Sequence, residues 1–598
     1  MAKEKAKSAR ELRGQLMLQI AAGRFFRPDV PLNEHEHRRT VYSNAWFFGN
    51  PTVELPVGEV IASTEMGPTS SAMISVVDRL EKQRLDGTED FLVATGGTEL
   101  VDDLAYVMTF VLNRTISRNH DQTRRLVTGE GTPRGRSASD LFPGLFEPGQ
   151  TVQPDQLDEL RQFMDDLLSM GRNDFARVMR AIRNAVDATR RALDDPTGAY
   201  TDLVAALESI SDHDLATPVP WDRYDGAKRK IIDVALAGAD PKLAHRVRDA
   251  VLEAERAGLK RRFVASTLAS LSPDYYRGEA RGTVRPPRAP DMERMLGIAY
   301  DIRSRRSHVL EDLGEGVWLF TDGAETAYEP SFERVLTLAG LWRLVRHVVG
   351  RYITDADKVA ADPWDYRNAL PGIVDMQPGP QYWIWQSGGL TAESAAHRLE
   401  GFAEALIGWL SKQHADGFNL DEVCREIEGL VPGLPDGGAK TSLIAIHILW
   451  HEWVKSDEHR PEATAFIDQY EAVLQAPSPS AFTVSLLSNR PLPTWTVDQW
   501  VDMAQSRNEA RYTGKQQPLP ASIDALIQLE AADHLEAAGR HDEAVEFAAN
   551  AVAEVPGNEA LLAWEQRLVA GDHDPSFDVH AFLFGDLEAQ ASEEPAEY

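Results

Sequence analysis

From Asp155 onward the chain repeats apolar residues at intervals of three and four. That spacing builds a one-sided stripe on an α-helix, and a stripe can be buried only against another helix or a sheet. Asp155 to Leu193 is the first such stretch, with many arginines on its polar side. Tyr200 to Ser211 follows the Asp195-Pro196-Thr197-Gly198 turn, and Ala227 to Ala237 and Pro241 to Leu271 continue the series. Arg281 to Pro290 holds Pro286, Pro287 and Pro290 and reads as a loop. The next helix spans about Asp291 to Leu313, stopped by Gly314, with Met292, Met295, Leu296, Ala299, Ile302, Val309, Leu310 and Leu313 as its stripe. After a short apolar run from Val317 to Phe320, Ser331 opens a helix that turns Phe332, Val335, Leu336, Trp342, Val345 and Val349 inward. Residues 390–475 are helical again, and 477–497 mix short apolar runs with prolines.

Only the N-terminal part breaks this period. Val41 to Phe48 and Val53 to Ala62 carry β-branched and aromatic residues between Gly49-Asn50-Pro51 and Gly67-Pro68, which predicts strands. Phe91 to Ala94 is a short apolar run before Thr95-Gly96-Gly97-Thr98, and a helix carries Leu100, Leu104, Val107, Met108, Val111 and Leu112. The expected fold class is mainly α, beginning with a small α/β domain over residues 1–127. A Gly/Pro-rich linker is expected at 128–150, then a helical domain at 151–355, a second at 356–515, a helical unit at 516–572 and an acidic tail at 573–598, disordered from Leu587 to Tyr598. A length of 598 residues suits several domains.

The lone cysteine, Cys424, excludes an intramolecular disulfide framework and cysteine-based zinc knuckles, and fits a reducing cytosol. The charged start at Met1 and the short stretch Leu16 to Ala22, interrupted by Gln19, do not make a signal peptide. No window reaches the ~20 apolar residues of a membrane span. A cytoplasmic protein with no membrane partner is expected. A net charge of −31 opposes general affinity for nucleic acid. From Arg256 to His308, however, 12 Lys/Arg stand against 5 Asp/Glu, a local +7. That stretch is either a solvated basic face or a local phosphate-binding surface.

Within it, Tyr300-Asp301-Ile302-Arg303-Ser304-Arg305-Arg306-Ser307-His308 places an arginine, four residues and a histidine on one helix. This resembles the R-x4-6-H motif of the HEPN superfamily, and Tyr-x-Ile-Arg-Ser resembles its Apea-like branch. Where that branch continues His-Gly, this chain has His308-Val309. The resemblance covers about residues 195–355. Tyr200-x-x-Leu203-Val204-x-Ala206-Leu207-Glu208 looks like the first helix of that fold, and Arg261-Arg262-Phe263 and Ser272-Pro273-Asp274-Tyr275-Tyr276 like its connecting helix and turn.

The resemblance implies a metal-independent endoribonuclease working as a homodimer, in bacterial defence or stress response. It also implies a catalytic set of Arg303, His308 and Glu208, with Ser304, Arg305 and Arg306 as substrate-binding residues and RNA as the partner. No metal and no cofactor are expected. The residue types suit metal-free RNA cleavage. Histidine exchanges protons near neutral pH, and a guanidinium offers phosphate a planar fork. Five residues at 100° each separate Arg303 and His308 by about 140° around the helix, so they reach one phosphate only if the long Arg side chain curls round or if a partner's helix supplies the second residue, as in the dimer that the resemblance implies. The alternative is a non-catalytic helical scaffold for protein or RNA binding.

His447-Ile448-Leu449-Trp450-His451-Glu452 sets two histidines at i and i+4, the spacing of a zinc pair, with His459 eight residues on. It lacks the H-E-x-x-H order and lies among apolar residues, so it reads as a core helix. His35-Glu36-His37 alternates on a strand, with both histidines on one face. Gly96-Gly97-Thr98 reads as a turn and N-cap. Gly539-Arg540-His541-Asp542-Glu543-Ala544, followed by Ala551 and Pro556-Gly557-Asn558, resembles a single tetratricopeptide unit. That likeness implies either a protein partner at the C-terminal helices or plain packing on the helices before it.

Overall fold

The computed structural model describes residues 12–585 except 48, 50, 65, 85–86, 131, 133–135, 212–220, 222–225, 257–258, 331–332, 374–377, 412–417, 455–458, 489, 492–493, 513–517 and 574. The chain is mainly helical and divides into two compact units, residues 1–374 and 375–598. Among the described residues no helix is long and apolar enough to cross a membrane.

The first unit opens with an antiparallel sheet of β1 (Leu32–Ser43), β2 (Thr52–Leu55), β3 (Gly58–Ala62), β4 (Ser70–Glu81) and β5 (Ile116–Ser117), in the order β2-β3-β4-β1-β5. Helix α1 (Thr98–Leu112) packs on β4 and on α2 (Pro154–Leu168) and α3 (Arg172–Arg191). An ion pair of 2.6 Å between Asp103 and Arg183 pins α1 to α3. Helix α4 (Pro196–Ser209) then runs beneath α5 (Leu259–Ala269), α6 (Ala289–Val309) and α7 (Leu338–Asp355), and packs against α3 as well. Its buried Ala199, Tyr200, Leu203, Val204, Ala206 and Leu207 explain why it is apolar nearly all round.

One hydrophobic core extends from Leu12 to Leu370 and joins the sheet to the helices. The segment expected as a linker, 128–150, supplies Ala138, Leu141, Phe142, Leu145 and Phe146 to that core. Pro143 and Gly144 make a turn, but the segment's large apolar side chains are buried, each worth about 1.5–3 kcal/mol. The helix expected from Ser331 starts later. A hairpin of β6 (Thr326–Glu329) and β7 (Glu333–Leu336) precedes it, and the Thr337 hydroxyl caps α7 by accepting from the Gly340 N–H at 3.2 Å. Ser331 and Phe332 lie outside the described residues.

The second unit has its own core, from Ile384 to Leu583, spanning both of the domains expected there. Its helices include α8 (Ala395–Leu410), α9 (Asp421–Leu430), α10 (Gly438–Trp453), α11 (Pro461–Tyr470), α12 (Pro479–Leu487), α13 (Val497–Tyr512), α14 (Ala521–Ala537), α15 (His541–Glu554) and α16 (Glu559–Val569). The α14–α15 hairpin buries Ala544, Ala548 and Ala551, small residues that let the two backbones approach. The expected tail begins later than 573, because Val579–Phe584 is helical with Leu583 in the core. Leu587 to Tyr598 lie outside the described residues.

Candidate functional site

The motif helix α6 starts after Arg288, with Pro290 in its first turn and Asp291 paired to Arg288 at 2.8 Å, a negative charge where the helix dipole favours one. It ends at Val309 and not near Leu313. Leu310 takes a left-handed conformation (φ 56°), and its N–H closes on the Arg306 carbonyl. The apolar stripe is therefore cut short. Met292, Met295, Leu296, Ala299 and Ile302 are buried, whereas Val309 and Leu310 are 68% and 73% exposed. Leu313 is buried again because the chain turns back, its N–H donating to the Thr197 hydroxyl at 3.0 Å. That bond fixes the end of α6 against the start of α4. The start is itself set by Pro196 and by Asp195, which accepts from the Gly198 N–H at 2.7 Å.

This seam brings Arg303 and Glu208 together. The guanidinium Nη2 lies 3.0 Å from Glu208 Oε2, with the side chains 30% and 21% exposed. Tyr300 stands one turn before Arg303, its ring 5.6 Å from that of Phe263. Burial, then the negative charge of Glu208, pushes the Tyr300 hydroxyl above its ordinary range, while Arg303 and Arg262 pull it down. Tyr300 and Arg262 thus share the electrostatic environment of the pair. Both stand in the stretches that carry the resemblance, but their side-chain chemistry alone did not mark them as site residues.

His308 is exposed on the last turn of α6, and among the described residues no hydrogen bond or ion pair joins it to Arg303. Ser304 is half-buried. Arg305 meets Glu311 at 3.3 Å, and Arg306 meets Asp312 at 2.9 Å and the Leu310 carbonyl at 3.3 Å. A groove between α5 and α6 carries Lys260, Arg261 and Arg294 on its walls, with Glu293 and Asp301 among them. Lys260 is tied to Asp301 at 2.6 Å. Asp301 and His308, seven residues apart, project in nearly the same direction from α6.

The other motifs fall elsewhere. On β1, His35 is exposed and His37 lies 3.6 Å from Asp78. Gly97 (φ 70°) precedes α1, and a Cβ there would come within 2.4 Å of the His37 ring, so close approach as well as backbone conformation requires glycine. His347, not singled out in the sequence, is a satisfied core histidine between Glu279 at 2.8 Å and the Ser272 N–H at 3.1 Å. In the second unit His447 and His451 are buried on α10, facing Cys424 on α9. Burial drives His447 down to about 4. Glu536 joins His541 at 2.8 Å and also His573, and those bonds, His573 first, hold its carboxyl low. No family model, no curated protein and no solved structure matches this chain.

Proposed function

We propose that the chain is a HEPN-type, metal-independent endoribonuclease acting as a homodimer, in bacterial defence or stress response. Each site would combine Arg303 and Glu208 of one copy with His308 of the other. The observation that carries this reading is the Arg303–Glu208 pair across the α4–α6 seam, with His308 turned to solvent on another side of the same helix. In that arrangement Glu208 orients the guanidinium, whose fork grips the scissile phosphate. His308 exchanges protons with the 2′-hydroxyl or the 5′-leaving oxygen. Val309 and Leu310, exposed beside His308, suit a helical interface with the second copy. RNA enters along the groove walled by Lys260, Arg261 and Arg294.

The test is cleavage of mixed RNAs in EDTA by the wild type beside Arg303→Ala and His308→Ala variants, with folding checked by circular dichroism. Cleavage by the wild type alone is expected. Wild-type cleavage no greater than that of the variants would end the nuclease reading.

A second reading, a non-catalytic scaffold, is favoured by one observation. Arg303, Arg305 and Arg306 each already meet a carboxylate of the chain, Glu208, Glu311 and Asp312. On that reading the tetratricopeptide-like α14–α15 hairpin binds a protein partner. Pull-downs with an Arg303→Ala, His308→Ala double variant would retain every partner; loss of one from a folded Arg303→Ala variant would count against it.

A further inference from the structure

Helices α9 and α10 each place two polar side chains one turn apart on the faces they present to one another: Cys424 and Glu428, His447 and His451. Cys424 and His447 are fully buried and His451 is 6% exposed, yet one donor atom from each of the three lies within 4.8 Å of the others. The hydrogen bonds around the rings fix which nitrogens carry protons. His447 Nε2 is 3.0 Å from a carboxylate oxygen of Glu428, which Arg460 holds at 2.6 and 3.3 Å. His451 Nδ1 is 2.8 Å from the His447 carbonyl. Both acceptors lack a hydrogen, so each ring donates from that nitrogen. The lone pairs then sit on His447 Nδ1 and His451 Nε2. His447 Nδ1 is buried with no hydrogen-bond partner among the described residues. An acceptor left unmet at such depth is unfavourable, and the packing of His447 on His451 and Phe466, at ring separations of 4.3 Å, does nothing to satisfy it.

We propose that Cys424, His447 and His451 bind one zinc ion, which staples α9 to α10. Cys424 Sγ, His447 Nδ1 and His451 Nε2 supply one thiolate and two neutral imidazoles, a donor set for a borderline-soft divalent ion and not for calcium or magnesium. On binding, the Cys424 thiol releases its proton to solvent as the metal–sulfur bond forms. Metal–ligand bonds of about 2.0–2.3 Å set the donors closer together than the 4.8 Å within which the three residues now stand, so binding turns the two stacked rings toward the ion. Glu428 has the place of the outer carboxylate that orients a ligating histidine, and Arg460 orients Glu428 in turn. The sequence showed the histidine spacing but not the cysteine, which lies 23 residues earlier and meets the pair only when α9 packs on α10. This site is independent of the nuclease reading.

The experiment titrates the chelator-treated full chain with Co2+, then displaces the Co2+ with Zn2+. One Co2+ per chain with a thiolate-to-cobalt charge-transfer band is expected, with Zn2+ displacing it and raising the melting temperature. Cys424→Ala should lose the band with its circular dichroism unchanged, and Glu428→Gln should bind Zn2+ about 10–100-fold more weakly. A wild type that shows no sulfur band overturns the proposal, even if it binds Co2+ elsewhere, for instance at Glu536, His541 and His573. So does a sulfur band that keeps its full strength and affinity in His451→Ala. Should that variant not fold, the wild-type titration still decides.

Discussion

Arg303 on α6 and Glu208 on α4 approach to 3.0 Å across a seam whose two ends are fixed independently, by the Thr197–Leu313 hydrogen bond and by the buried stripe of α6. The pair is partly exposed, so its stability contribution is small, about 0.2–1 kcal/mol. Its role in the proposed reaction is larger. Arg303→Lys keeps the charge and loses the fork, and should raise the cleavage barrier by about 2–4 kcal/mol while moving the denaturation midpoint little. Single-turnover rates beside urea titrations separate the two effects. A large stability loss with unchanged cleavage would assign the pair to packing alone.

Glu530 on α14 gives a pH signature. Burial, and secondarily the charge of Asp533, lifts its carboxyl to about 7 from an ordinary value of 4.5. Between those values the folded chain holds a proton that the unfolded chain has released. The resulting stability is complete below 4.5 and is lost as pH rises through about 7. Glu530→Gln mimics the protonated form. It should therefore stabilise the protein near pH 8 by about 1–2 kcal/mol, allowing for solvent screening, and give no gain near pH 4. Melting temperatures at the two pH values check this, and an equal gain at both would refute it.

Gly340 lies at the start of α7 where the backbone of the Glu325 segment crosses. A Cβ there would come within 2.2 Å of the Glu325 carbonyl oxygen. Gly340→Ala should force the two backbones apart and cost about 1–3 kcal/mol. Thr337→Ala removes the cap together with the hydroxyl's hydrogen bond to the Ala324 carbonyl at 2.6 Å, and should cost about 1–2 kcal/mol. Chemical denaturation of both variants gives the ranking; a cap loss larger than the glycine effect would show that the crossing yields easily.

Glu208 and Arg303 were legible only through the family resemblance of their helices, since α4 is apolar nearly all round and its spacing singles out no face. The turn at Leu310 was not, since Val309 and Leu310 continue the helical spacing of α6 yet stand in solvent. Strand β4 was hidden for a different reason. It buries Asp78 and Glu81, which are satisfied by Thr95 and Arg27, so charged residues occupy positions where alternation calls for apolar ones. Val335 and Leu336 fit the inward stripe of a helix equally well as two residues of β7, and only the Thr337 cap separates strand from helix. Of the Cys424–His447–His451 group, spacing along the chain shows only the two histidines, and Cys424 joins them through the packing of α9 on α10.

The central claim is a site shared between two copies, and subunit mixing tests it most directly. Arg303→Ala and His308→Ala are each expected to be inactive, but a heterodimer of the two holds one site with both residues intact. After exchange of subunits, mixed variants should regain about a quarter of wild-type cleavage, since half of the dimers are mixed and each has one complete site. No recovery in mixtures where exchange is demonstrated, with the wild type active, would contradict the shared site.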